Sequence, residues 1–128
     1  DKSRAMIETV DFLIKHGELT FAVNRIYYGI FYMLSAVALK DGFKTSKHEQ
    51  LIGWFNKTYV KTHQVDKKYS KIIHNAFENR MKGDYDVLTT FAKEKVEELF
   101  AEMQEVIAAI EKLLESEEEN KHGQDQNL

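Results

Sequence analysis

No proline occurs in the 128 residues of this chain, and only six glycines do. Proline and glycine break helices and shape tight turns. A chain almost without them is poorly equipped for many short strands joined by turns and well equipped for long helices. Hydrophobic residues make up 43% of it and charged residues 30%. That balance builds one ordinary globular core, and the length suffices for one domain but not two. With no cysteine, disulfides, thiol nucleophiles and thiolate metal sites are excluded. No uninterrupted apolar run reaches the roughly 20 residues that span a bilayer. The start lacks the basic-then-apolar layout of a secretory leader. The expectation is a cytoplasmic protein with no membrane segment.

Apolar residues recur at helical spacing in five places. Residues 2–16 form the first, with Ala5, Met6, Val10, Leu13 and Ile14 on one side and Gly17 as the stop. Residues 18–41 form the second, ended by Gly42. Ser46-Lys47-His48-Glu49 has the layout of a capping box opening a third, short helix, with Leu51, Ile52, Trp54, Phe55 and Tyr59 as its apolar side. Residues 66–82 form a fourth, carrying Tyr69, Ile73, Ala76 and Phe77 and interrupted by Gly83. A fifth runs from about Val87 to Leu114, capped by Asp84 or Asp86. The predicted fold is all-α, an up-and-down bundle of four main helices plus a short additional one. It occupies residues 1–114, and residues 115–128 read as an acidic polar tail, frayed or disordered.

Charge is unevenly spread. Residues 40–82 carry ten Lys/Arg against four Asp/Glu, and residues 83–128 carry four Lys against thirteen Asp/Glu. A basic stretch of this kind can face a polyanion, and equally it can be a solvated helix face.

Two places depart from plain amphipathic patterning. Around the second helix apolar side chains fall on nearly every side, as in a helix enclosed by others. Its polar groups Asn24, Arg25, Tyr28, Tyr32 and Ser35 share one stripe about 100° wide. Such groups on a buried helix need partners. The stripe is either an internal polar seam or the lining of a pocket or dimer cleft. At the end of the fourth helix, Arg80 continues the apolar stripe and so points inward or toward a cleft. Asp84, Tyr85 and Asp86 lie just beyond. Arg80 and Asp84 either form an internal ion pair or belong to a cationic site for phosphate or developing negative charge. His74 and Glu78, four apart, have metal-compatible spacing, but no metal is expected there.

The run Asn24-Arg25-Ile26-Tyr27-Tyr28-Gly29-Ile30-Phe31 resembles the second-helix signature of small stand-alone HEPN-domain proteins. Arg80-Met81-Lys82-Gly83-Asp84-Tyr85 resembles their later Arg-x-x-x-Asp-Tyr element, and Lys47-His48 before the third helix fits the same pattern. The resemblance implies a HEPN-like bundle, usually a homodimer, often paired with a minimal nucleotidyltransferase in a toxin–antitoxin-type system. Active members are metal-independent ribonucleases with an Arg and a His separated by four to six intervening residues. Here Tyr85 stands at the four-residue gap, and Asp86 and Val87 at the next two. The leading expectation is therefore a HEPN-type module binding a nucleotide or RNA phosphate near Arg80, or pairing with a small nucleotidyltransferase, or both. Candidate binding residues are Asn24, Arg25, Tyr28, Lys47, His48 and Arg80. The candidate catalytic set is Arg80, Asp84 and Tyr85. No cofactor is expected. Two alternatives stay open, an active endoribonuclease without the usual His and a purely structural interaction module.

Overall fold

The computed structural model describes residues 2–86 and 88–126, with side chains described as far as residue 116. Five α-helices account for most of it, α1 (Lys2–Lys15), α2 (Leu19–Asp41), α3 (His48–Phe55), α4 (Lys67–Tyr85) and α5 (Lys93–Gln126). A π-helical turn, Asn56–Val60, prolongs α3. No strand occurs among the described residues, so the expected all-α bundle is the observed fold.

Two glycines place the early corners where the sequence puts them. Gly17 and Gly42 have φ of 75° and 76°, the left-handed conformation that a side chain disfavours. Past each, the chain folds back onto the helix it leaves. Glu18 N–H reaches the Leu13 carbonyl, and Phe43 N–H reaches that of Ala38, both closures of the Schellman type.

The centre of the bundle is α2, which packs on α1, α3, α4 and α5. Ala22, Val23, Ile26, Ile30, Met33, Leu34 and Val37 are buried along its inner side. They meet Val10 of α1, Leu51 and Phe55 of α3, Ile73 and Ala76 of α4, and Val96, Met103 and Ile110 of α5. Each fully buried aliphatic side chain contributes about 1.5–3 kcal/mol. By length and composition alone α2 could cross a membrane, but 56% of its most apolar stretch is buried against its neighbours. That burial is what a central core helix requires. Gly29 lets α5 approach, because a Cβ there would stand 2.5 Å from Met103 Cε.

Four other expectations are corrected. Gly83 does not interrupt the fourth helix, since α4 continues to Tyr85. Its lack of a side chain makes room, because a Cβ would lie 3.1 Å from Phe91 Cε2 as the chain returns toward α5. The fifth helix begins at Lys93, later than expected, and Val87 itself lies outside the described residues. Asp86 does not cap that helix. Its carboxylate accepts from the Leu88 N–H at 3.0 Å and its carbonyl from Thr89 N–H at 3.1 Å, which makes a turn instead. The capping box at α3 is also absent. Lys47 is the cap residue, without a side-chain bond. The Thr45 hydroxyl accepts from Lys47 N–H and donates to Gln50. At the far end α5 continues through Gln126. Of the expected tail, 115–128, the side chains from residue 117 onward lie outside the described residues.

Candidate functional site

Sequence spacing leaves the polar stripe of α2 and the end of α4 as separate features, and the fold joins them. Arg80 lies on the side of α4 that meets α2. Its side chain is 15% exposed. The guanidinium carries five N–H groups in a planar fork. One terminal nitrogen donates to the Tyr28 hydroxyl at 3.0 Å, and the other approaches Met81 Sδ at 3.5 Å. Nε lies 2.8 Å from Asp84 Oδ2. That contact is a close ion pair with the N–H directed off the oxygen, not an aligned hydrogen bond. Asp84 also accepts from Asn24 Nδ2, at 3.3 Å to Oδ1 and 3.2 Å to Oδ2. Asn24 and Tyr28 are one helical turn apart, so α2 grips both members of the α4 pair.

An aromatic shelf holds the cation in place. The guanidinium carbon sits 5.3 Å from the centre of the Tyr28 ring and 5.6 Å from that of Tyr27. These are cation–π distances. Beneath them, the Tyr27 hydroxyl lies 2.6 Å from His48 Nδ1. His48 stacks on Phe31 with ring centres 4.0 Å apart. The imidazole comes from the first residue of α3, so three helices meet at this point.

The surroundings set the protonation states. Burial holds the His48 imidazole below its ordinary pKa, and the positive charge of Arg80 adds to the effect. Burial pushes the Tyr27 phenol up to about 12, against a smaller opposing pull from Arg80. Near neutral pH the pair is therefore a phenol beside a neutral imidazole. If the phenol donates to Nδ1, the other ring nitrogen carries a proton and can only donate. If Nδ1–H donates to the phenol oxygen, that other nitrogen carries a lone pair and can accept.

Of the residues named from sequence, the fold assembles Asn24, Tyr28, Arg80 and Asp84, with His48 reached through Tyr27. Arg25 faces elsewhere, exposed along an open groove between α1 and α2 lined also by Met6, Thr9, Tyr28, Tyr32 and Ser35. Lys47 is exposed beside His48. Tyr85, expected beside Arg80, is 72% exposed at the end of α4. Tyr27 is the member that sequence reasoning missed. Its place in a tyrosine pair was visible, but only the fold shows the buried ring bridging Arg80 and His48. His74 and Glu78 do meet, at 3.0 Å. Among the described residues no three His, Asp or Glu side chains cluster closely enough to hold a metal ion.

Comparison with known proteins gives this geometry a setting. The family model described as the HEPN domain matches residues 1–113. A UPF0332 protein of Thermotoga maritima is 39% identical over 114 residues, which cover 89% of this chain and 86% of that protein. Two proteins of Methanocaldococcus jannaschii, each named "Putative toxin", are also similar. One is 31% identical over 99 residues, covering 77% of this chain and 67% of that protein. The other is 26% identical over 121 residues, covering 89% and 90%.

Proposed function

The chain belongs to the HEPN-domain family, and on that premise we propose that it is a toxin-side helical module, homodimeric, that binds RNA or nucleotide phosphate beside Arg80 and pairs with a small nucleotidyltransferase. The toxin-like role draws support from the names of the two archaeal relatives. The phosphate site rests on one observation, the way Arg80 is held. An arginine kept only as an internal tie would be consumed by its carboxylate. Here Nε is not aligned on Asp84, and Tyr28 and Met81 take one N–H from each terminal nitrogen. Nε is buried against Asp84, and the second N–H of each terminal nitrogen can take a phosphate oxygen. The shelf of Tyr27 and Tyr28 keeps the fork from swinging away, so little side-chain entropy is lost on binding. Asp84 then acts as the resident anion, and a phosphate shares Arg80 with it or displaces it. Exposed Lys82, two residues from Arg80, and exposed Lys47, next to His48, belong to the basic stretch and add sequence-independent attraction to a polyanion.

The test is binding of a short RNA and of ATP. Arg80→Ala is expected to weaken binding by about tenfold or more, and Lys67→Ala, at the other end of α4, by less than about twofold. Equal losses in the two variants would remove Arg80 from the site. Retained binding to a nucleotidyltransferase in Arg80→Met, with stability unchanged or raised, would support the purely structural reading, because ion pairs away from water are often replaced neutrally.

A second reading, metal-independent RNA cleavage, is favoured by one specific observation. An imidazole does stand near Arg80, but it comes from α3 and not from across a gap of four to six residues downstream. Cleavage of this kind moves the 2′-hydroxyl proton to a base while the 2′-oxygen–phosphorus bond forms. The phosphorus–5′-oxygen bond then breaks, and the leaving oxygen takes a proton from water or the imidazolium. Neutral His48 with its lone pair on Nε2 suits the first step, and Arg80 suits the charge on phosphorus. Wild type should then cut pooled RNA in EDTA, and His48→Gln should lose at least about a hundredfold in rate. No cleavage by the wild type would end this reading and leave the binding function standing.

A further inference from the structure

The outward face of α2 carries a pattern of which the phosphate site uses only Tyr28. Phe21, Arg25, Tyr28, Tyr32, Ser35 and Leu39 follow one another at steps of four, three, four, three and four residues. That is the spacing of a coiled-coil seam, the face one helix presents to another. Among the described residues its two ends stand open, while in the middle Tyr28 meets Arg80 of α4 and Lys2 of α1 lies over the Tyr32 ring. Phe21 is 65% exposed and Leu39 is 79% exposed, and Tyr32 is exposed between them. Phe12, on α1 toward the same end of the α1–α2 hairpin, is also exposed.

The stripe is also symmetric. Its six positions lie in pairs equidistant from residue 30, namely Phe21 with Leu39, Arg25 with Ser35, and Tyr28 with Tyr32. A two-fold interface requires that if one residue meets a second on the partner, the second meets the first. An antiparallel pair of α2 helices crossing at residue 30 meets that requirement at all six positions. It sets apolar against apolar at both ends, tyrosine against tyrosine at the centre, and the Arg25 guanidinium against the Ser35 hydroxyl, an available acceptor. A shift by one heptad would face Phe21 with Tyr32 and Arg25 with Tyr28, and would leave Ser35 and Leu39 uncovered. The groove between α1 and α2, about 640 Å³ and mostly apolar, gives the partner's tyrosine rings a place to enter.

We propose that a second copy of this chain docks on this face, antiparallel along α2, with the two-fold axis at residue 30. The proposal rests on the homodimer named above and adds its surface and register. It also brings each copy's Arg80, bonded to Tyr28, to the edge of the shared seam.

Cysteine cross-linking tests the register, and the natural chain has no cysteine to interfere. The variant with Phe21→Cys and Leu39→Cys should form a covalent dimer on mild oxidation. Phe21→Cys alone should not, because the two copies of position 21 stand about 27 Å apart along the helices in this register. Leu39→Asp, on an exposed position, should keep the helical circular dichroism and raise the dimer dissociation constant by at least about thirtyfold. A dimer in light scattering that survives Leu39→Asp, with no cross-link in the double variant, would overturn this face and leave the homodimer intact. Cross-linking of Phe21→Cys alone would overturn the antiparallel register. A wild-type monomer at tens of micromolar would overturn both the register and the dimer.

Discussion

Helix α4 carries two pairs of a nitrogen base and a carboxylate at the same four-residue spacing, and they have little else in common. His74 and Glu78 meet at 3.0 Å with side chains 65% and 54% exposed. Arg80 and Asp84 meet at 2.8 Å with side chains 15% and 28% exposed. Spacing and distance barely separate them. The difference lies in what a second helix brings. The first pair faces water, where such contacts are worth about 0–1 kcal/mol. The second is turned toward α2, so Asn24 holds the carboxylate, Tyr28 holds the guanidinium, and two rings flank the cation. An i,i+4 pair becomes a candidate site only when a neighbouring element supplies the third and fourth partners.

The sharpest test of this contrast removes one carboxylate from each pair. Asp84→Ala leaves a mostly covered guanidinium without its anion and Asn24 without an acceptor. It should lower stability by about 2 kcal/mol in urea unfolding. An effect near zero would put Arg80 on the same footing as His74. A smaller effect is expected from acid. The fold holds the His48 pKa below the unfolded value of 6.5, so the folded chain resists a proton that the unfolded chain accepts. The stabilisation is present above pH 6.5 and is lost as pH falls through the folded value. Urea midpoints measured from pH 7.5 to pH 5 should show this decline, and His48→Gln should flatten it. The smallest effect belongs to Glu78→Ala, under about 0.5 kcal/mol, and a larger loss would break the comparison from the other side.

Much of this was legible in the sequence. The helices follow from apolar spacing and the scarcity of breakers, and Gly17 and Gly42 stop the helices they were read to stop. The polar stripe of α2 and the inward turn of Arg80 could be read because a helix fixes which residues share a face. Their meeting could not, because it depends on how α2 and α4 are rotated and set against each other. Gly83 was misread for a related reason. Glycine as a breaker and glycine as a gap for an approaching ring look the same until Phe91 is in place. Ser46 and Glu49 have the right types for a capping box, but Thr45 forms its own bonds first. Tyr85 shows the limit of counting along the chain. It stands where the family's His is expected but points to solvent, while the imidazole near Arg80 comes from His48, thirty-two residues earlier.

The contact at Gly29 bears on how such a chain can change over evolutionary time. The absent side chain at 29 and the methionine tip at 103 occupy a single space between them. An alanine at 29 requires the flexible tip of Met103 to move aside, whereas shortening 103 requires nothing of position 29. A lineage that gains an alanine at 29 should carry a shorter or differently branched side chain at 103, and one that shortens 103 first opens the way for that alanine. Two sites seventy-four positions apart would then be linked in one direction, a pairing that an alignment of relatives could detect without any further structure.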